Sequence, residues 1–99
     1  MRQTIYRLDL QIVDEIPEVL KESILYYSPK YHTAAHLCPC GCGSRIVTPI
    51  TYSGQCAERK SWGLQYTDDG IVTLTPSVGN FQLPCKSHYF VRSSRIEML

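Results

Sequence analysis

The segment "CPCGCG", Cys38 to Gly43, places three thiols within five residues and separates them only by a proline and a glycine. An extended strand would spread these sulfurs by roughly 6 to 7 Å per pair of residues. That spacing is too wide for one metal ion, whose bonds to sulfur are about 2.3 Å long. Pro39 presets φ, while Gly41 and Gly43 accept positive φ, so the backbone is able to curl. We therefore expect this loop to wrap a metal ion.

The remaining ligands are expected from a distant segment, "LPCKSH", in which Cys85 and His88 have C-x2-H spacing. Zinc is the expected ion, because thiolates with optional imidazole in a tetrahedral shell suit Zn²⁺, and a structural site needs four ligands. We favour the all-sulfur set, which is Cys38, Cys40, Cys42 and Cys85. The alternative set drops one loop cysteine and includes His88.

The redox compartment decides how the five cysteines are interpreted. No N-terminal apolar stretch resembles a signal peptide, and no segment approaches the roughly 18 to 20 apolar residues of a membrane span. We therefore expect a soluble cytoplasmic protein with no membrane contact. Clustered thiols in a reducing cytosol bind metal or do chemistry more often than they form disulfides. Cys56 stands apart from the cluster, and we interpret it as a small buried side chain.

Length and charge narrow the class of protein further. A chain of 99 residues is expected to form a single domain, residues 1–99, that hides only about two-thirds of its unfolded surface. A metal staple would stabilise such a domain. The formal net charge of +1 argues against a disordered tail and against a protein built to neutralise nucleic-acid phosphates. We expect no nucleic-acid partner.

Alternation of apolar and polar residues predicts a mostly β, antiparallel fold. The best-supported element is a hairpin around the turn "TDDG", entered through Trp62, which we place in the core. The segment "TPSVGN" is expected to end its second strand. "DEIPEVLKES", with Pro17 in its first turn, is expected to form one short helix or helical turn at most. Further strands are expected at 6–12, 24–28, 45–50, 88–92 and 95–99.

A second group of residues has the composition of a serine nucleophile site, which needs a hydroxyl, a base and donors for an oxyanion. In "PSVGN", Ser77 follows Pro76 at an expected chain reversal. The backbone amides of Gly79 and Asn80 are candidates for the oxyanion donors. A serine in a Pro-Gly turn more often only forms the turn, so this interpretation competes with a structural one.

The base for Ser77 must be a histidine from elsewhere in the chain. His88 is favoured because Cys85, fixed by the metal, would hold it nearby, while His36 is the second choice and His32 the third. His36 is also a candidate for a hydrogen bond to a metal-bound thiolate. Ser87 competes as the nucleophile, but adjacent strand residues point to opposite faces, which disfavours a pair with His88.

These motifs together resemble a known family. "HLCPCGCG", followed by "VTP", a lone Trp62, "DG-V-L-PSVGN" and "CKSHYFVR", is similar to small bacterial zinc-binding proteins encoded beside ubiquitin-like conjugation genes, in the operons called Bub. The resemblance runs from about Ile16 to Met98. It implies the peptidase component, which trims a ubiquitin-like protein or cuts its conjugates by serine chemistry, and a role in antiphage defence. Its implied partners are that ubiquitin-like protein and the activating and conjugating enzymes of the same system.

The sequence departs from the family pattern in three places. Phe81 stands where tryptophan is expected, "RSSR" at 92–95 replaces a glycine turn, and the connection "TYSGQCAERKS" at 51–61 is longer. None of these changes touches the clustered cysteines, Ser77 or His88. The departures therefore bear on substrate choice more than on chemistry.

Three functions remain open at this point. The first is a serine peptidase with a structural zinc, and the second is a non-catalytic zinc-binding module that binds a conjugation enzyme or its substrate. The third is catalysis by the zinc itself. It is disfavoured because the sequence contains no HExxH motif and lacks the glutamate of the deaminase pattern.

Overall fold

The computed structural model describes residues 6–50, 62–80 and 83–99, and these residues form two four-stranded sheets. The first sheet contains, in spatial order, β1 (Asp9–Ile12), β2 (Ile24–Ser28), β3 (Thr33–Leu37) and β4 (Arg45–Pro49). The second contains β5 (Gly63–Tyr66), β6 (Val72–Gly79), β7 (His88–Arg92) and β8 (Arg95–Met98). All pairs of neighbouring strands are antiparallel except β1 and β2. The predicted mostly β fold is confirmed.

The parallel pair of β1 and β2 requires a crossover, which the segment 13–23 supplies. The described residues contain no helix, so the short helix predicted around Pro17 is not formed and the crossover runs as bends and a turn. The Arg45 guanidinium donates hydrogen bonds of 2.9 and 3.1 Å to the carbonyls of Pro17 and Glu18. These carbonyls are thus held by a side chain of β4, in the same sheet, rather than by a helical turn.

The main core lies between the inner faces of the two sheets, and alternation along each strand decides which residues reach it. Ala34 belongs to this core, whereas the adjacent Ala35 packs with Leu20 and Tyr26 in a smaller cluster beneath the crossover. The main core also buries residues of both sheets, among them Leu8, Leu25, Cys38, Ile46, Val72, Leu74, Val78, Tyr89, Val91 and Ile96. Cys38 is therefore fixed by the core as well as by its loop.

The turn between β7 and β8 shows how this chain replaces the expected glycines at "RSSR". Ser93 and Ser94 have φ of 48° and 64°, the left-handed conformation that glycine normally provides. Ser94 Oγ accepts a 2.9 Å hydrogen bond from Val72 N, and Thr73 Oγ1 accepts one of 2.9 Å from Ser93 N. Hydrogen bonds to β6 thus hold a turn that the local sequence disfavours.

The strand β6 is longer than its sequence predicts. The segment "TPSVGN" was expected to end it after Leu74, but the strand continues to Gly79. Its register with β7 shifts on the way, because Leu74 pairs with Val91 and Val78 pairs with Tyr89. The four residues that follow Leu74 on β6 therefore span the same length as two residues on β7, and this irregularity is a β-bulge. Proline is tolerated at a bulge because it has no N–H to donate to the ladder.

Other strand predictions hold with shifted ends. The strands at 24–28, 88–92 and the hairpin around "TDDG" are confirmed, while the first strand begins at Asp9 rather than at Tyr6. No helix in the described part of the chain is long and apolar enough to cross a membrane. The connection at 51–61, which contains Cys56, lies outside the described residues, as does Phe81.

Candidate metal centre and serine–histidine pair

The loop 38–43 curls as its glycines allow. Gly41 and Gly43 have φ of 90° and 82°. Cys38 N donates to Ser44 O at 2.8 Å, and Gly41 N donates to Cys38 O at 3.1 Å. The loop closes on itself, so its three sulfurs turn toward one point.

Cys85 completes a group of four thiols with the loop cysteines. The Sγ atoms of Cys38, Cys40, Cys42 and Cys85 all lie within 4.8 Å of one another, and none of these cysteines forms a disulfide. Three of their separations are 3.4 Å for Cys38–Cys40, 3.9 Å for Cys38–Cys85 and 3.7 Å for Cys42–Cys85. A tetrahedral ion with bonds of about 2.3 Å requires sulfurs about 3.8 Å apart. The four thiols therefore fit a metal ion. His88 does not belong to this group of candidate ligands.

The thiols differ in how easily each one loses its proton. Burial raises the pKa of Cys40 to about 12. Burial also acts to raise the pKa of Cys42, but hydrogen bonds with Ser44 and the neighbouring thiols outweigh it and bring the pKa to about 6. Hydrogen bonds with Ser87 lower the pKa of Cys85. A bound cation would be needed to hold all four as thiolates, because like charges this close repel.

Ser77 and His88 lie side by side on the face of the second sheet that points away from the core. Ser77 Oγ lies 2.8 Å from His88 Nε2. Gly79 pairs directly with His88, and Ser77 lies two residues before Gly79, so the two side chains are diagonal neighbours on one face. We call this face the outer face, since Val78 and Tyr89 of the same strands point into the core. Both side chains of the pair are half-buried.

Trp62 makes a contact that sequence reasoning missed. It packs against the main core, as expected, but it is only half-buried there, and its Nε1 donates a 3.2 Å hydrogen bond to the backbone carbonyl of Ser77. The backbone N–H of Trp62 donates to Pro49 O at 2.8 Å, at the end of β4. Trp62 therefore links the first sheet, through its backbone, to the bulge that carries Ser77, through its indole. Spacing in the sequence offers no signal for this contact, because the bulge exists only through pairing with β7.

The second candidate base, His36, does not face Ser77. It is fully buried between the sheets, and its Nε2 lies 2.6 Å from Tyr89 Oη. Tyr89 and His88 are neighbours in β7 and point to opposite faces, so His36 lies on the core side. Burial lowers the pKa of His36 to about 4, which keeps it neutral. The third candidate, His32, is exposed in the turn between β2 and β3.

Of the two candidate oxyanion amides, one is engaged. Asn80 N donates to Ser87 O at 2.8 Å, so this amide is not free to bind an oxyanion. The hydrogen-bonded rung of Asn80 and Ser87 makes the next rung, Gly79 with His88, a non-hydrogen-bonded pair. In such a pair the N–H points away from the partner strand. The Gly79 amide is therefore directed away from β7, and Gly79 is exposed.

Ser87 lies beside the thiols rather than beside His88. Its Oγ is 3.1 Å from Cys38 Sγ and 3.6 Å from Cys85 Sγ, and the residue is buried. This is the arrangement expected from strand alternation, which separates Ser87 from His88. The contact with the thiols was not anticipated, although the C-x-S spacing of Cys85 and Ser87 is a signal that suggests it.

A β-sandwich with a four-thiol centre on its core side and a serine–histidine pair on its outer face has the parts of a small metal-stapled serine hydrolase. A family model described as bacterial ubiquitination-like system serine protease (BubE) matches residues 12–99. The chain belongs to this family, which confirms the resemblance inferred from its motifs. Comparison with curated proteins finds no significant match, and neither does comparison with solved structures.

Proposed function

We propose that this protein is a serine peptidase that processes a bacterial ubiquitin-like protein or cleaves its conjugates, with Ser77 as nucleophile and His88 as base. The observation that carries the proposal is the 2.8 Å contact between Ser77 Oγ and His88 Nε2. Family membership supports the reaction class and the ubiquitin-like partner. A serine hydroxyl is a weak nucleophile by itself, and an adjacent imidazole within hydrogen-bond reach activates it.

The first half of the reaction uses the side chains of Ser77 and His88 on the outer face and one backbone amide of β6. Ser77 Oγ attacks the carbonyl carbon of the scissile bond while His88 Nε2 takes the hydroxyl proton. The Gly79 N–H is the candidate donor for the oxyanion, since the amide of Asn80 is engaged with Ser87 O. His88 then returns the proton to the leaving amine as the carbon–nitrogen bond breaks, which leaves an acyl group on Ser77.

Water then releases the acyl group, with His88 again acting first as the base and afterwards as the acid. His88 takes a proton from the water as its oxygen attacks the acyl carbon, and the bond to Ser77 Oγ breaks. The released product carries a free carboxylate, and the serine recovers its proton from His88. Gly79 is exposed and has no side chain, which suits the approach of an extended substrate segment.

We further propose that the metal is Zn²⁺ and that its role is structural. Four thiolates suit zinc in preference to hard cations, and they fill its tetrahedral shell. A filled shell has no position for an activated water, which argues against catalysis by the metal. Bound at these thiols, the ion would tie the loop 38–43 to the segment that leads from Cys85 to His88.

The experiment that tests the peptidase activity uses the ubiquitin-like protein of the same operon, made with a short C-terminal extension. The parent should release the extension, as seen by intact mass, while Ser77→Ala should not. Thr75→Ala is the matched control, because it removes an exposed hydroxyl from the same strand. If the parent and both variants are equally inert on free and conjugated forms, the non-catalytic binding-module hypothesis replaces this proposal.

A further inference from the structure

Asn80 stands where the ladder carrying the serine–histidine pair ends. Its backbone N–H donates to Ser87 O, and this rung lies directly beyond the pairing of Gly79 with His88. The side chain of Asn80 points to the core side of the sheet, where its Nδ2 lies 2.9 Å from Ser87 Oγ. Asn80 directly follows the strand that carries Ser77, and it contacts both the segment that leads into His88 and the hydroxyl beside the thiols.

The chemistry of the thiol centre fixes the direction of these hydrogen bonds. Ser87 Oγ lies 3.1 Å from Cys38 Sγ, and a metal-bound thiolate can only accept a hydrogen bond. Ser87 has one hydroxyl hydrogen, so that hydrogen goes to sulfur and Ser87 must accept from its other neighbour. Asn80 therefore presents its amide NH₂, not its oxygen, to Ser87.

The second hydrogen of the same amide points toward Tyr89, whose Oη lies 3.5 Å from Asn80 Nδ2. Tyr89 Oη lies 2.6 Å from His36 Nε2 and is placed to donate to it, which leaves its lone pairs for Asn80. Ser87 and Tyr89 are both buried, and hydrogen bonds in such surroundings are stronger than in water. Among the described residues, Asn80 is thus the one that donates to both Ser87 and Tyr89 and joins their hydrogen bonds into one network.

We propose that Asn80 is a positioning residue that ties the metal centre to the Ser77–His88 pair through its donated hydrogen bond to Ser87. The inference rests on the proposed function, since it assigns a role within that reaction. Ser87 accepts this hydrogen bond and donates to the sulfur of Cys38, while Asn80 lies at the end of the β6–β7 ladder. The bond therefore connects that sulfur to the end of the ladder. Loss of the donor should disturb both the metal and the geometry of the pair, although Asn80 contacts neither directly.

The sharpest test compares Asn80→Asp with Asn80→Ala in protein loaded with Co²⁺, whose thiolate charge-transfer absorption reports on sulfur. Aspartate has the shape of asparagine but only accepts, so it should take the Ser87 hydrogen away from Cys38. The absorption should then shift to longer wavelength, and more in Asn80→Asp than in Asn80→Ala. Release of the ion to a chelator should accelerate by about 10-fold or more, the usual scale for partners of metal ligands.

A second measurement follows the pair itself, through the rate at which a fluorophosphonate labels Ser77. We expect labelling to slow by about 10-fold in Asn80→Asp, with Thr75→Ala unchanged as the control. Parental cobalt absorption and parental release in Asn80→Asp would overturn the proposal, and so would faster metal release with unchanged labelling. If the parent itself resists labelling, the proposed peptidase function fails, while the cobalt measurements still decide the tie to the thiols.

Ser87→Ala provides an independent route if Asn80→Asp does not fold. Because both substitutions act on the same hydrogen bond, Asn80→Ala should add little to metal release in a Ser87→Ala background. Effects that multiply in the double variant would mean that Asn80 acts by another path, and would overturn the proposal.

Discussion

Ser77 Oγ and His88 Nε2 lie 2.8 Å apart because the two residues are diagonal neighbours on adjacent antiparallel strands. The bulge between Leu74 and Val78 sets this relationship, since it shifts the register by two residues, so that His88 pairs with Gly79 and Ser77 lies diagonally across from it. Strands position side chains more rigidly than loops do, so the pair is held in place before any substrate binds. The following predictions test this arrangement and the elements that support it.

His88→Ala should abolish cleavage without releasing the metal. His88 lies beside Ser77 and outside the group of four thiols, so its loss removes the proposed base and leaves the proposed ligands intact. The rate should fall by about 10³-fold or more, while metal content by elemental analysis stays at the parental level. His32→Ala is the control for removal of an imidazole, and loss of metal from His88→Ala would support the alternative ligand set.

Cys85→Ser should remove the metal and lower stability. Among the four described thiols, Cys85 is the one from outside the loop 38–43, so without it the proposed metal no longer ties the loop to the segment that leads into β7. The parent should contain about one zinc per chain, and Cys85→Ser should contain far less and unfold at a lower temperature. Cys56→Ser should match the parent in both measurements. A parent that contains no stoichiometric metal would contradict the structural-zinc assignment.

Trp62→Phe should slow catalysis while retaining most of the stability. The substitution keeps an aromatic ring but removes the Nε1–H that bonds the carbonyl of Ser77. We expect a fall in kcat of about 10-fold and a loss of about 1 kcal/mol in the free energy of unfolding. Tyr26→Phe is matched to it, because it removes the hydroxyl that accepts from Lys21 N, far from the pair. Equal losses of kcat in both variants would mean that the Trp62 contact has no special role.

Glycine substitutions in the β7–β8 turn should have opposite effects on stability. Ser93 and Ser94 both have positive φ, and glycine relieves that strain by about 1 kcal/mol. Ser93 is exposed, so Ser93→Gly should raise the melting temperature. Ser94 is buried and its Oγ accepts from Val72 N, so Ser94→Gly should lower it by leaving that donor unpaired. A gain in both variants would show that the Ser94 contact contributes little.

Local patterns predict the parts of this protein that depend on near neighbours. The hairpin around "TDDG" and the curled cysteine loop follow from residues that lie within a few positions of one another. The path of "PSVGN" could not be predicted in this way, because proline and glycine usually end a strand and only pairing with β7 carries it through the bulge. The same distant pairing engages the Asn80 amide with Ser87 O. The position of His36 is likewise set by a distant contact, because it faces Tyr89 on the core side.

Mapping the site of covalent modification tests the central claim most directly. The protein is treated with a fluorophosphonate, digested and analysed by peptide mass spectrometry, with Ser77→Ala and Thr75→Ala treated in parallel. The account predicts an adduct on Ser77 in the parent and in Thr75→Ala, slower labelling in His88→Ala, and none in Ser77→Ala. An adduct on Ser87 or another serine, or equal labelling of Ser77→Ala and the parent, would contradict the assignment of the nucleophile.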